Sequence, residues 1–225
     1  MTASLALWPF LNSRDTMSRG KLAIVLIAAV LIADQILKIW VKTHMAIGEE
    51  IHIAGNWFII HFTENNGMAF GMEFFGRVGK YLLSIFRIVA VGALCYYLFK
   101  LAKRDISTGY FVCVALITAG AAGNIIDCAL YGLIFDHSWN NIAQFVPFGS
   151  GYSTFLQGRV VDMLYFPVIQ GHWPTWSPIK ATEEFIFFRP VFNIADSAIT
   201  CGMIWMLLFE RKNLQTELEV GSKKD

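Results

Sequence analysis

Long apolar stretches separated by polar connections dominate this chain. They predict four helices, at about residues 20–41, 81–102, 108–128 and 193–210. Each stretch approaches the roughly 20 residues that a helix needs to cross the hydrocarbon core of a bilayer. The pattern therefore predicts an α-helical integral membrane protein that forms a single membrane domain over residues 1–225.

The first apolar stretch has two interpretations. Arg19 and Lys21 precede it, as basic residues precede the apolar core of a secretory signal peptide. No clear small-x-small cleavage site follows, and apolar residues continue past Asp34. We therefore favour a retained membrane helix. Residues 1–16 are a short mixed extension whose role the sequence does not indicate.

The polar connections have a different periodicity. Within residues 42–80, the segments 51–53 and 57–63 are β-prone, with partial alternation and a Gly-Asn break between them. They predict a small hairpin at the membrane surface. The second long connection, residues 129–192, is rich in aromatic residues, glycine and proline. A charged tail from Glu210 is expected to be solvated and frayed.

Composition supports the membrane class and argues against others. The chain is 56% hydrophobic and 16% charged, whereas soluble domains are about 45–50% apolar and about 25% charged. The net charge of +1 provides no electrostatic basis for binding nucleic acid. The four cysteines lack C-x-x-C spacing and the five histidines lack ligand spacing, so neither a metal nor a cofactor is predicted.

Basic residues near the helix ends predict the orientation, because cytoplasmic flanks are rich in Lys and Arg. With four spans, all the basic flanks lie on one side, so both termini are predicted to be cytoplasmic and both long connections lie outside. The flanks contain Arg14, Arg19 and Lys21 before the first helix, Lys100, Lys103 and Arg104 between the second and third, and Arg211 and Lys212 after the fourth.

This orientation places every conspicuous polar cluster on one membrane face, whereas chance would distribute them over both. A polar site at the outer leaflet, built from several segments, is the simplest explanation. Aspartates in membrane helices are costly and commonly functional, although Asn193 and Asp196 also suit the N-terminus of a helix. The clusters are Asp34, Asn65 with Gly67, Asn124 with Asp127, Asp162, and Asn193 with Asp196.

Carboxylates are the chemistry that these clusters provide. The chain has neither a His-Glu-x-x-His motif nor a Gly-rich phosphate loop. Two aspartates held close together share a proton, so one can act as a base on water while the other donates to a carbonyl group. Asp162 and Asp196 are the best-placed pair, but their spacing does not show that they meet.

Five short motifs carry a resemblance to a known family. They are Asp34-Gln35-x-x-Lys38, Asn65-x-Gly67-x-Ala69-Phe70, Gly123-Asn124-x-x-Asp127, Val160-Val161-Asp162 and Phe192-Asn193-x-Ala195-Asp196-Ser197. In this order they resemble lipoprotein signal peptidase (signal peptidase II), from about Lys21 to Phe209. The resemblance implies a metal-independent aspartyl endopeptidase of the bacterial inner membrane, with its active site at the periplasmic face. Such an enzyme cleaves diacylglyceryl-modified prolipoproteins just before the lipidated cysteine.

The resemblance also implies roles for individual residues. Asp162 and Asp196 match the catalytic dyad, and the predicted hairpin matches a small β-rich outer cradle. The implied partners are prolipoprotein substrates, membrane lipids and globomycin-type inhibitors. The positions that match residues lining or supporting the site are Asp34, Lys38, Asn65, Gly67, Ala69, Asn124, Asp127, Asn193 and Ala195.

Two features depart from the family pattern. An arginine usually follows the aspartate of the third-helix motif, whereas this chain has Cys128. We hypothesise that Arg87, within about two turns of the outer end of the second helix, replaces part of its role; the alternative is an arginine that extends to the interface. The other departure is the long segments 129–158 and 167–190, which are uncommon without a purpose. We expect an outer lid or membrane-surface platform, the alternative being a packed insertion without a catalytic role.

Two functions from other classes remain alternatives. Intramembrane carboxylates also line ion paths, so an ion-coupled transporter or channel subunit is one. Neither a mid-helix acidic residue nor an obvious internal repeat supports it. The other is a non-enzymatic membrane assembly factor, which predicts that Asp162 and Asp196 tolerate replacement by Asn.

Overall fold

The structure, a computed structural model, describes residues 18–66, 76–167, 169–172, 184–187 and 190–222. Its helices are α1 (Arg19–His44), α2 (Gly76–Leu101), α3 (Thr108–Ile126), α4 (Gly132–Ile134), α5 (Ile194–Phe209) and α6 (Arg211–Ser222). A π-helical turn, Asp127–Tyr131, joins α3 to α4. The strands are β1 (Glu50–Ala54), β2 (Phe58–Asn65), β3 (Val160–Tyr165), β4 (Ile169–His172), β5 (Glu184–Phe187) and β6 (Val191–Phe192).

Within these described ranges, three helical stretches are long and apolar enough to cross a membrane: Arg19–His44, Val78–Leu101 and Thr108–Ile134. Helix α5 is apolar but shorter, with 16 residues. Helix α2 begins at Gly76, whereas the sequence predicts a start near residue 81. Lys80, the last residue of the predicted connection 42–80, is instead a buried residue of α2 and donates a hydrogen bond to the carbonyl oxygen of Gln157 (2.8 Å).

Small residues allow α3 to approach α1 and α5 closely. A Cβ added at Gly120 would overlap the carbonyl oxygen of Ala195. A Cβ at Gly123 would lie 3.0 Å from the Cβ of Ala195 and 3.1 Å from Oδ2 of Asp34. Side chains here would therefore separate the helices that carry the polar motifs.

The strands form a four-stranded antiparallel sheet in the order β1-β2-β3-β6, and β4 pairs with β5 separately. The β1-β2 pair confirms the predicted hairpin. In the pairing of β2 with β3, Thr63 lies opposite Asp162 and Asn65 opposite Val160. Residues 129–192 are predicted to be outer β or loop structure, but β3 itself is not located, because a short and almost continuous apolar run has no periodicity that identifies it as a strand.

Two buried apolar clusters lie at different ends of the helices. One joins the end of α1 to the sheet, through residues such as Val41, Phe62 and Val161. The other includes Leu101 and Phe111, and Leu214 of α6 packs against it. The expectation of a frayed tail is therefore wrong: apolar packing holds α6, and Glu217 accepts a hydrogen bond from Arg104 (2.5 Å).

Candidate active site

The two aspartates proposed as a dyad lie on neighbouring elements. Asp162 is in the middle of β3 and is buried, and Asp196 is in the first turn of α5. Strand β6 pairs with β3 and leads directly into Asn193, the N-cap of α5. The side chain of Asn193 therefore reaches both aspartates. Its nitrogen donates to Oδ1 of Asp162 (2.7 Å), and its oxygen accepts from the backbone N–H of Asp196 (2.8 Å).

Two further amides complete this arrangement. Asn124 of α3 donates to Oδ1 of Asp196 (2.8 Å) and accepts a hydrogen bond from Asn193 (3.1 Å). Asn65, at the end of β2, donates to Oδ2 of Asp162. Among the described residues, every buried side-chain nitrogen and oxygen atom has a hydrogen-bond partner. Both oxygens of the buried Asp162 are therefore paired, as expected because a buried polar group without a partner is costly, and one oxygen of the partly buried Asp196 is held by Asn124.

The electrostatics distinguish Asp162 from an ordinary carboxyl group. Burial raises the pKa of Asp162, and the negative charge of Asp196 raises it further, to about 8. Lys38 and the hydrogen bond from Asn193 oppose this rise. Asp162 therefore keeps its proton at neutral pH, as expected of one member of a carboxylate pair that shares a proton.

The buried ammonium group of Lys38 is connected to Asp196 through Asn124. The ammonium group of Lys38 lies 2.8 Å from a carboxylate oxygen of Asp34 and 2.8 Å from one of Asp127, and all three side chains are buried. It also donates to the side-chain oxygen of Asn124 (3.0 Å). This contact links the cation to the amide that binds Asp196.

The two carboxylates beside Lys38 hold the backbone of the elements that carry the dyad. Asp34 accepts a hydrogen bond from the N–H of Ala195 in α5 (2.9 Å), and Asp127 accepts one from the N–H of Val161 in β3 (3.2 Å). Both carboxylates are thus buried and engaged in contacts within the chain. Asp127 also begins the π-helical turn, a feature that is frequent at functional sites.

One member of this network was absent from the residues predicted for the site. Gln35 donates to Oδ1 of Asp127 (2.9 Å) and accepts from the hydroxyl group of Tyr131 (3.1 Å). Its place in the motif Asp34-Gln35-x-x-Lys38 was the available signal. A polar residue next to Asp34 on a membrane helix is itself a sign of a polar site.

The structure brings together nine of the predicted residues. Gly67 and Ala69 lie outside the described residues, and their predicted roles stay predictions. The guanidinium group of Arg87 lies beside Cys128, with its nitrogen 3.8 Å from the sulfur atom. The nine residues are Asp34, Lys38, Asn65, Asn124, Asp127, Asp162, Asn193, Ala195 and Asp196.

A second buried lysine lies one turn further along α1 and was not predicted. Lys42 forms an ion pair with Glu64 and donates to the hydroxyl oxygen of Ser138 (2.7 Å). Its ammonium group lies 5.3 Å from the ring centre of Phe135 and 5.0 Å from that of Tyr152. Burial is the largest influence on the pKa of Glu64 and raises it, but the charge and hydrogen bond of Lys42, the hydrogen bond from Ser138 and the charge of Arg159 together outweigh burial, so the pKa is lowered. This ion pair attaches the connection after α4 to α1 and β2.

Comparison with known proteins agrees with the motifs. A family model described as signal peptidase (SPase) II, Peptidase_A8, matches residues 26–211. The chain belongs to the signal peptidase II family. This membership confirms the resemblance that the five motifs indicated. It makes the protein a peptidase, and its apolar helices are those of a membrane protein.

Individual members of the signal peptidase II family are similar over most of their length. A lipoprotein signal peptidase of Porphyromonas gingivalis is 51% identical over 191 residues, which cover 84% of this chain and 83% of that protein. One of Amoebophilus asiaticus is 38% identical over 199 residues, covering 87% and 79%. A solved structure described as a bacterial membrane enzyme, determined by the in meso method at 2.3 Å, has a TM-score of 0.57 at 24% identity. It covers 86% of this chain and 90% of its own, which supports the fold.

Proposed function

We propose that this signal peptidase II family member is an aspartic endopeptidase that removes signal peptides from diacylglyceryl-modified prolipoproteins, cleaving just before the lipidated cysteine. Asp162 and Asp196 form its catalytic dyad. The observation that carries this proposal is the pair of amides, Asn124 and Asn193, that connects the two carboxyl groups. The two similar proteins named as lipoprotein signal peptidases support the substrate class.

The proton positions suggest how the dyad acts. Asp196 accepts a proton from a water molecule, whose oxygen attacks the carbonyl carbon of the scissile peptide bond. Asp162, which keeps its proton at neutral pH, donates it to the carbonyl oxygen. When the resulting tetrahedral intermediate collapses, the C–N bond breaks and the proton held by Asp196 passes to the departing nitrogen. Asp162 then takes back the hydroxyl proton as the new carboxyl group forms.

The other polar residues prepare this chemistry. Asn124, Asn193 and Asn65 hold the carboxyl groups in place through hydrogen bonds. Preorganised groups of this kind contribute to catalysis because they need no rearrangement during the reaction. Asn193 also caps α5, so it serves both the helix and the dyad.

The arrangement supports a specific membrane topology. The site uses the C-terminal parts of α1 and α3 and the N-terminus of α5, which coincide at one end of the helices. We assign this end to the periplasmic face of the bacterial inner membrane, with both termini cytoplasmic and α5 as the fourth span. At about 1.5 Å per residue, α5 is about 24 Å long, shorter than a hydrocarbon core of about 30 Å. Asp196 therefore lies below the membrane surface, near the glyceryl group of a substrate whose acyl chains remain in the outer leaflet.

Arg87 supplies a cation near the site in this proposal. Where the family resemblance suggests an arginine, this chain has Cys128, and the guanidinium group of Arg87 approaches that residue from α2. We expect Arg87→Ala to reduce cleavage and Cys128→Arg, added to Arg87→Ala, to restore part of it. Unchanged cleavage by folded Arg87→Ala would refute this role. Globomycin-type inhibitors are expected to bind the same site, so their affinity provides a second measurement.

The deciding experiment compares wild type with Asp162→Asn and Asp196→Asn, as purified full-length proteins in detergent, on a diacylglyceryl prolipoprotein. Both variants should fold, as judged by thermal unfolding, and should lose cleavage. Asp105→Asn is the matched control, because Asp105 is fully exposed and lies in the connection between α2 and α3, away from the site; it should cleave normally. Near-normal turnover by either dyad variant would reject the assignment and make Asp127 the next candidate. A wild type that never cleaves would instead favour the transporter alternative, which ion flux then tests.

A further inference from the structure

The connection between α4 and β3 exposes large aromatic side chains. We call residues 135–158 the collar. Its exposed aromatic residues include Trp139, Phe145, Phe148 and Phe155, with 70%, 60%, 74% and 55% of their surface accessible. Exposed apolar groups at this density commonly mark an interaction surface. The question is which partner covers them.

The collar is attached to the ends of three helices. Ser138 accepts a hydrogen bond from Lys42 of α1 (2.7 Å). The N–H of Val146 donates to the carbonyl oxygen of Ile134 in α4 (2.9 Å). The carbonyl oxygen of Leu156 accepts from the hydroxyl group of Ser84 in α2 (3.1 Å). These contacts fix the collar at the active-site end of the helices, which supports a platform rather than a moving lid.

Other side chains of the collar already fill its interior. Phe135 and Ala143 are fully buried in the cluster beneath the sheet. The ring of Phe135 packs against Tyr131, with centroids 5.1 Å apart. The exposed aromatic groups are therefore additional to those that hold the collar together.

The exposed groups continue the apolar surface of the helices. Phe155 lies between Thr154, whose hydroxyl group contacts that of Tyr81 (3.1 Å), and Leu156, which is bound to Ser84. It therefore lies beside the exposed apolar face at the start of α2. That face contains Leu82, Ile85 and Phe86, with 61%, 51% and 68% of their surface accessible.

Phe148 has a similar position at the end of the third apolar stretch. The N–H of Gly149 donates to the carbonyl oxygen of Leu133 (3.0 Å), so Phe148 lies beside the turn that carries the exposed Leu130. Both phenylalanines thus extend surfaces that a membrane-spanning helix presents to lipid. In segments that lie at the membrane interface, Trp, Phe and Leu are the residues that enter the boundary between headgroups and acyl chains.

The charge of the collar identifies the kind of lipid contact. The collar contains one charged side chain, Asp136, and no Glu, Lys or Arg. A segment that bound anionic headgroups through electrostatic attraction would need basic residues. This composition instead fits insertion of apolar side chains between lipids irrespective of headgroup charge.

We propose that the collar lies in the interfacial layer of the bilayer at the active-site end, with Phe148 and Phe155 inserted between phospholipid molecules. The leaflet it contacts follows from the topology given under the proposed function. The lipid contact itself depends only on the apolar surface and not on peptide cleavage. The collar would hold the bilayer at a fixed height relative to Asp162.

The test uses full-length protein in phosphatidylcholine nanodiscs, with the photo-crosslinking residue p-benzoylphenylalanine at position 148 or 155. The matched control has it at Asn141, which is also exposed and also in the collar. Mass spectrometry should find phospholipid adducts at 148 and 155 in several-fold excess over 141. Added anionic lipid or high salt should not change this excess. Thermal unfolding checks that each variant folds.

Adducts at 148 and 155 that do not exceed those at 141 would overturn the proposal, as would crosslinks to a second copy of the chain in place of lipid. An excess that appears only with anionic lipid would also overturn it. Cleavage is measured separately, with the unlabelled protein in detergent. Failure of the lipid contact is therefore distinguishable from failure of the peptidase assignment.

Discussion

Two lysines one helical turn apart on α1 have different tasks. Lys38 and Lys42 are both fully buried. Lys38 contacts two carboxylates, Asp34 and Asp127, which bind the backbone of α5 and β3, the elements that carry Asp196 and Asp162. Lys42 contacts one carboxylate, Glu64, and otherwise a hydroxyl group and two aromatic rings of the collar. A buried charge alone therefore does not identify a functional group, because what it does depends on the elements to which its partners belong.

The strongest way to separate the two lysines is Lys38→Met. This change leaves two buried carboxylates without their cation, which costs about 3–5 kcal/mol when one partner of a buried pair is removed. We expect a lower thermal unfolding temperature and loss of cleavage. The double variant Lys38→Met with Asp127→Asn should recover part of the stability without recovering cleavage. Wild-type turnover in folded Lys38→Met would contradict the role assigned to this cation.

The pH dependence of cleavage sharpens the contrast. Because the pKa of Asp162 is about 8, this group loses its proton as the pH rises through that value, and the donor to the carbonyl oxygen is lost. Turnover should therefore decline above about pH 8, by about tenfold for each further pH unit. Lys42→Met should show the same inflection, because Lys42 does not contact the dyad. A rate that stays constant up to pH 10 would show that Asp162 does not act as the proton donor.

A smaller effect is expected from Lys42→Met itself. Glu64 keeps its hydrogen bond from Ser138 (2.7 Å) and its ion pair with Arg159 (3.3 Å). We therefore expect a loss of about 1–3 kcal/mol of unfolding free energy, typical of a buried group that loses one partner. Turnover per folded molecule should remain near that of wild type. A double-mutant cycle of Lys42→Met and Glu64→Gln measures the coupling free energy between these two residues. Additive effects on the free energy of unfolding would show that the Lys42–Glu64 pair does not stabilise the fold.

Arg159→Gln should have the smallest effect of the series. The Arg159 side chain is 39% exposed, and its ion pair with Glu64 is weakened by solvent. Pairs of this kind contribute about 0–1 kcal/mol. We expect a slight change in unfolding temperature and normal cleavage. A loss of unfolding free energy greater than that of Lys42→Met would contradict the expectation that Lys42 stabilises the fold more than Arg159 does.

The sequence predicted the parts of the site that depend on local rules. Asn193 was expected as an N-cap from its position before an apolar run, and it is one. Its hydrogen bond to Asp162 depends on the register between β3 and β6, which no local rule predicts. The five motifs indicate residues that meet in the structure. Strand β3, which carries the motif Val160-Val161-Asp162, could not be located from the sequence.

The contacts of Lys42 with Glu64 and Ser138 could not be predicted from the sequence for a different reason. Lys42 is 22 residues from Glu64 and 96 from Ser138, and a lysine near the end of a membrane helix ordinarily extends to the interface. Helix α6 shows the opposite error. Its charged sequence indicated a frayed tail, but Leu214 and Glu217 find tertiary partners that a single segment cannot reveal.

The hydrogen bond between Asp34 and the N–H of Ala195 joins residues 161 positions apart. Asp34 and Lys38 both belong to α1, whereas their partners Asp127 and Ala195 lie far along the chain. The network around Asp162 and Asp196 is therefore complete only when α5, the last apolar helix, has packed against the others. A fragment that ends before α5 lacks both the N–H of Ala195 and the carboxylate of Asp196, so it could not form the proposed peptidase site.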